Sequence, residues 1–422
     1  MEDNLLKYNQ LRSKYHTFYY HEHSYRVEGK NLVLCFHFSI DKSIHFQPVT
    51  IFKWHSSFAL FFQTYPISVL ENFVFNIGMI ELISYWKSTC CKKIEIQAGT
   101  LPQDALYFWK KLYFNGLGEF FYCNGIDTNI DNFAEISIEN SQNIDIQHFT
   151  HIQPTTIVPV GGGKDSIVTL ELLRNQEDIL PLIINPRQAT LETVKIAGFE
   201  GNFIEIQRKI DDNLLEINKK GFLNGHTPFS SMLAFYSVLA AVLTGRKNIA
   251  LSNESSANEA TVLGENINHQ YSKSLEFEED FRRYVVQYLS EDVYYYSFLR
   301  NLSELEIAQK FSCFESYFPF FKSCNVGSKT DVWCCKCAKC LFTFIILSPF
   351  ISPQKLEDIF GENLLDNPQL LPILKQLCGF SPTKPFECVG TIEEVNSALT
   401  ASLAKYEQLP VLLQYFLEMR DK

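Results

Sequence analysis

Two short segments of this 422-residue chain combine residue types and spacings that suit chemistry. The first reads V-P-V-G-G-G-K-D-S at residues 158–166. Three glycines, Gly161, Gly162 and Gly163, let a backbone bring its N–H groups close to an anion. A helix starting just after them adds the positive end of its dipole. Ser166 can donate its hydroxyl, and Lys164 can add positive charge where it points inward. Asp165 is out of place against bare phosphate, but a shared Mg2+ makes its carboxylate useful. The bland alternative is a glycine turn in which Asp165 or Ser166 caps a helix. An apolar run before the loop and helical spacing after it favour the anion site. The second segment is Cys324-x9-Cys334-x2-Cys337-x2-Cys340. Four thiols this close can reach one tetrahedral centre. A closed set suits structural zinc, with an iron–sulfur cluster as the competitor. Cys335 competes with Cys334 for a place in that set. Four thiolates leave no open coordination position, so the segment is expected to pin structure rather than react.

Three further stretches are polar where a buried scaffold needs no polarity: N-G-H-T-P-F-S-S at 224–231, S-N-E-S-S-A-N at 252–258 and N-H-Q-Y-S-K-S at 268–274. Loops carry function disproportionately. Each also has a plain account: Thr227 before Pro228 reads as a helix cap, Asn253 and Asn258 as turn formers, and Lys273 as a surface charge.

The elements that must position these groups follow from periodicity. Residues 156–160 read as a buried strand and 165–174 as a helix. Residues 179–184, 203–206 and 248–251 give three more strands, and an apolar helix over 231–243 precedes the last of them. Strands alternating with helices predict an α/β fold with a mostly parallel sheet, whose ligands sit beyond the carboxyl ends of the strands. The first 150 residues mix strands (32–38, 93–97) with helices (76–88, 103–114), an α+β pattern rich in Phe and Tyr. From about residue 353 the chain reads as helical and acidic, a cover rather than a site. The expected division is therefore 1–150, 151–345 and 346–422.

With 37 basic and 48 acidic residues the net charge is −11, which argues against a protein built to grip nucleic acid but leaves room for a local basic pocket. At 46% hydrophobic residues the chain can bury a large core. The twelve cysteines come without a recognisable secretion signal, so reduced thiols and a cytoplasmic location are expected. The apolar stretches at 231–245 and 341–351 are too short to span a bilayer, and no membrane insertion is expected.

The glycine loop resembles the PP-loop, S-G-G-x-D-S, of the ATP pyrophosphatase superfamily. Gly162, Gly163, Asp165 and Ser166 take the motif positions, while Gly161 stands where serine is usual and removes one hydroxyl contact. By that resemblance the loop cradles the β- and γ-phosphates of ATP, with Asp165 on Mg2+, and Asn185 and Arg187 after the next strand approach the nucleotide. Together with the three polar stretches, W-C-C-K-C-A-K-C at 333–340, G-M-I-E-L-I-S-Y-W-K at 78–87 and G-L-G-E-F-F-Y at 116–122, the chain resembles the ATP-dependent UDP-N-acetylmuramoyl-L-alanyl-L-glutamate epimerases of peptidoglycan synthesis. The likeness runs from about residue 73 to residue 342. It implies inversion of a terminal L-Glu on a UDP-muramoyl dipeptide through an acyl-adenylate, releasing AMP and pyrophosphate. The family motif does not itself designate the proton-transfer groups. Glu254, His226 and His269 are the candidates, with Lys273 as carboxylate binder or enolate stabiliser. Thr227, Ser252, Asn253, Asn258 and Tyr271 are candidate substrate contacts. Two alternatives stay open: an ammonia-dependent ligase of the 7-cyano-7-deazaguanine synthase type, which has a similar loop and cysteine spacing, and a zinc-stabilised binding protein without catalysis.

Overall fold

The computed structural model describes residues 4–140, 146–262, 264, 267–327 and 330–420. Its strands are β1 (Thr17–Glu28), β2 (Asn31–Ile40), β3 (Ile44–Phe46), β4 (Val49–Lys53), β5 (Lys93–Thr100), β6 (Glu135–Asn140), β7 (Gln153–Pro159), β8 (Ile179–Ile184), β9 (Ile204–Lys209), β10 (Arg246–Leu251) and β11 (Tyr294–Ser297). They form one sheet in the order β11-β10-β7-β8-β9-β4-β2-β1-β5-β6, with β3 paired to β2. The β7–β11 half is parallel throughout. This is the α/β, largely parallel arrangement that alternating strands and helices predict.

The halves are not separate sheets. β4 pairs antiparallel with β9, from Val49 opposite Lys209 to Phe52 opposite Ile206, so hydrogen bonding is continuous from residue 17 to residue 297. The expected boundary near residue 150 therefore falls between two strands of one sheet, and one hydrophobic core spans both sides of it. A second core gathers the helices after residue 304, including Ala338–Leu347 and Ile392–Ser402, around the helix Lys164–Leu173.

The helix Glu71–Trp86 carries the N-terminal half. Every residue from Phe73 to Trp86 is buried, because β1 and β2 cover one side and the helix Phe229–Thr244 another. A helix apolar on all faces belongs in a core or a membrane. By length and composition, Ile67–Trp86 is long and apolar enough to cross one, although Asn72, Asn76 and Glu81 interrupt its apolar run in the sequence. In this fold it is packed in protein. Glu81 is accommodated by Arg208 of β9, which meets both its carboxylate oxygens at 2.7 and 2.8 Å and also donates to Ser84 Oγ at 3.0 Å.

Candidate functional site

In a doubly wound sheet the ligand crevice opens where strand order reverses. Here β7 lies between β8 and β10, so the loops leaving β7 and β10 flank that point. These are the Gly161–Ser166 loop and the 252–258 loop. They line a cavity of about 280 Å³ together with Arg187, Ser230, Lys273, Tyr295, Lys322, Ser323, Lys339 and Cys388. Four cationic side chains thus converge on one opening of an acidic chain.

The glycine loop is shaped by close approach. Gly162 has φ +79, and a Cβ there would stand 3.2 Å from the backbone of Ala189 and Thr190. A Cβ on Gly163 would meet Ser323 Oγ at 2.7 Å. Gly163 begins the helix Lys164–Leu173 and no side chain caps it, which leaves first-turn N–H groups for a ligand. Ser166 donates to Gly163 O at 3.0 Å, and Arg187 donates to Gly161 O at 3.2 Å. Ser252 Oγ is buried on the cavity wall without a hydrogen-bond partner among the described residues.

Lys164 does not point into the cavity. It is buried and paired with both Asp165 and Glu304. Burial pushes Glu304 up to about 7, against the pull of Lys164. Asp165 is held below its ordinary range: burial opposes this, but Lys164, Lys339 and Lys273 outweigh it. Its carboxylate stays on the cavity wall as an anion, the donor type that a magnesium–phosphate complex needs.

The groups nominated for proton transfer separate. Lys273 lines the cavity, with Nζ 3.2 Å from Cys388 Sγ. Glu254 is buried behind the wall, accepting from Ser256 at 3.1 Å. His269 reaches the cavity only through Cys388, to which it hydrogen-bonds, while its Nδ1 meets Glu119. His226 lies further back, with Nδ1 3.1 Å from the same Glu119 oxygen. Burial would raise the Cys388 thiol, but Lys273, His269 and Lys339 lower it to about 6. Burial would lower His269, but Cys388 and Glu119 carry it to about 9. His226 is depressed to about 4 by burial and by its cationic neighbour. The result is a thiol facing the cavity with its proton affinity lowered, backed by His269 and, behind it, Glu119. Sequence reasoning missed Cys388, since a single cysteine in a helical region carries no spacing signal. The C-terminal region is thus not only a cover: it supplies a cavity wall.

Of the remaining candidates, Asn253 lines the cavity and donates to Ser297 Oγ at 3.0 Å. Thr227 accepts from Lys87 at 2.5 Å. Asn258 and Tyr271 line a neighbouring cleft with Asn115 and Asn268. Asn185 sits outside the cavity lining, where its Oδ1 accepts from the Arg208 N–H at 2.9 Å. Cys324, Cys334, Cys337 and Cys340 bring their sulfurs within 4.8 Å of one another. Cys335 turns away, with its thiol 3.2 Å from Phe360 O. The segment leading into the four-sulfur cluster is tied to the glycine loop, since Lys322 N donates to Gly162 O at 2.9 Å.

Fold and site together define an α/β protein with a basic cavity at its switch point, a glycine loop on the cavity wall and a four-thiol segment tied to that loop. Residues 9–298 match the MurL N-terminal domain and residues 320–420 the MurL C-terminal domain. The chain belongs to the MurL family of epimerases. It is 35% identical over 342 residues to a Salinispora tropica protein named UDP-N-acetyl-alpha-D-muramoyl-L-alanyl-L-glutamate epimerase, covering 79% of this chain and 74% of that one. Proteins of the same name from Xanthomonas oryzae pv. oryzae and a Micromonospora species are each 32% identical, over 82% of this chain and 78% of theirs.

Proposed function

We propose that the chain inverts the α-carbon of the terminal L-glutamate of UDP-N-acetylmuramoyl-L-alanyl-L-glutamate, using ATP to activate the adjoining carboxylate. The observation that carries this reading is Cys388, which lines the same cavity as the glycine loop and has its Sγ 3.2 Å from Lys273 Nζ. A proton beside a carboxylate is barely acidic, because its removal piles charge next to an existing anion. Attack of the α-carboxylate oxygen on the α-phosphorus of ATP breaks the bond to the β-phosphate and releases pyrophosphate. The acyl-adenylate so formed has lost that anion. The Cys388 thiolate then takes the α-proton, and the electron pair moves to the carbonyl oxygen, which Lys273 stabilises. A solvent proton is delivered on the opposite face while Cys388 gives up its own proton to solvent, and water cleaves the mixed anhydride to give AMP and the inverted carboxylate.

Loop N–H groups at Gly161–Ser166, with Lys322, Lys339 and Arg187, suit the polyphosphate. Asp165 would hold Mg2+, which would neutralise charge on the phosphates. Cys324, Cys334, Cys337 and Cys340 suit a closed, structural Zn2+ and leave it no open position for chemistry. The neighbouring cleft at Asn258 and Tyr271 would receive the rest of the substrate. A cytoplasmic location, where such a nucleotide-linked substrate and ATP meet, completes the reading.

The test is AMP and pyrophosphate release in deuterated water, with and without the dipeptide substrate. Dipeptide-dependent AMP with deuterium at the glutamate α-carbon is the expected result. AMP without deuterium would leave activation standing and remove the inversion; no AMP would remove both.

A further inference from the structure

At the opposite end of the molecule's sheet, β1, β2 and β3 bring three histidines together. One ring nitrogen from each of His21, His37 and His45 lies within 4.8 Å of the others. His21 is there because of a β-bulge: register runs from Tyr20 opposite Phe38 to Glu22 opposite His37, leaving His21 as the extra residue. Bulges re-aim side chains in this way.

The hydrogen bonds fix which nitrogens are available. Gln97 Nε2 donates to Glu95 and Glu139, both at 2.9 Å, so its Oε1 is the atom facing His21 Nδ1 at 2.9 Å. An amide oxygen only accepts, so His21 Nδ1 carries the hydrogen and Nε2 keeps the lone pair. His45 Nε2 faces Lys42 O at 3.1 Å, which likewise assigns the hydrogen to Nε2 and the lone pair to Nδ1. That Nδ1 meets His37 Nε2 at 2.9 Å, while His37 Nδ1 stands 3.6 Å from a Glu22 carboxylate oxygen. With the His37 hydrogen on Nδ1, toward Glu22, the lone pairs of His37 Nε2 and His45 Nδ1 face each other across 2.9 Å, as two ligands of one cation do; with it on Nε2, His37 donates to His45 instead.

We propose that His21, His37 and His45 form a binding site for a divalent transition metal of the zinc, nickel or copper class. Neutral imidazoles suit these ions, and ligating histidines normally carry the other ring hydrogen on a carboxylate, amide or carbonyl oxygen. Gln97 and Lys42 O play that part here, and the Glu22 carboxylate stands 3.6 Å from His37 Nδ1. Ser39, whose Oγ lies 2.7 Å from His21 Nε2, competes for that lone pair and must rotate its hydrogen away. His45 is exposed, so the fourth position faces solvent. Such an ion would tie β3 to β1 across β2.

The experiment is cobalt(II) uptake by the untagged chain carrying a single equivalent of zinc, enough to fill the four cysteines alone, compared with H37A and H45A. The native chain is expected to bind one more Co2+ than either variant, with visible d–d bands and no thiolate charge-transfer band, which separates this site from the four cysteines. Circular dichroism confirms that the exposed-position variant H45A keeps its fold. Equal cobalt uptake by all three chains would overturn the proposal and leave His37 donating to His45. A thiolate band in the extra equivalent would also overturn it.

Discussion

Two of the places where this protein buries charge are built differently. At the seam between the halves, Arg208 and Glu81 form a matched pair, with Ser84 and Tyr236 filling the remaining hydrogen-bond directions. At the cavity the groups are not matched one to one. Lys164 serves two carboxylates, and Cys388 faces Lys273, Lys339 and His269. A matched pair gives each charge one opposite partner and leaves no surplus of either sign. An unmatched cluster shifts its members' proton affinities, which is what proton transfer requires. The seam is built to hold, and the cavity to respond.

The comparison breaks first at Cys388. Cys388→Ala should lower deuterium exchange at the α-carbon by about 10²–10⁴ while dipeptide-dependent adenylate formation persists. Because the working form is the thiolate, native activity should fall as pH drops through about 6, and Cys388→Ser should lose that limb. Loss of adenylation alongside exchange would instead make Cys388 part of the binding wall. Asp165→Asn should reduce AMP release by about 10²–10³, with weaker dependence on Mg2+ concentration. The seam should behave oppositely. Glu81→Ala leaves Arg208 buried without its partner and should cost about 3–5 kcal/mol in denaturant titration, while the refolded fraction keeps its per-molecule activity. The smallest effect concerns Glu304. Its folded pKa of about 7 lies above the ordinary 4.5, so the folded chain binds this proton more tightly between those values. The associated stability is fully present below 4.5 and lost as pH rises through 7. Stability should therefore decline across that window by at most about 1.4 kcal/mol per pH unit, and Glu304→Gln should remove that component.

Much of the responsive region is legible in sequence because its parts are local. The strand–glycine–helix order around Gly161–Ser166 and the spacing of Cys334, Cys337 and Cys340 lie within a few residues of each other. The alternation that gives β7, β8, β9 and β10 is equally local. What the sequence hides is long-range pairing. Nothing in V-T-I-F-K at 49–53 announces that it will pair with I-E-I-Q-R-K at 204–209, because any amphipathic edge would satisfy the pattern. β11 is short and was hidden by the helical residues before it. Cys388 lies 115 residues from Lys273, and only the fold joins them. Glu254, His226 and His269 all lie in polar stretches of the sequence. Polarity near a strand end marks the neighbourhood of a site, not which side chain turns toward it.

The β4–β9 pairing also bears on how the protein can be cut. A gene fragment starting near residue 151 looks like a self-sufficient nucleotide-binding unit. It would present β9 as a raw edge, with the N–H and C=O groups of residues 206–209 seeking another strand. Such a fragment would find that strand in a second copy of itself, and its preparations would be dominated by edge-to-edge aggregates. The N-terminal half is therefore the fold's edge protection as much as it is a domain.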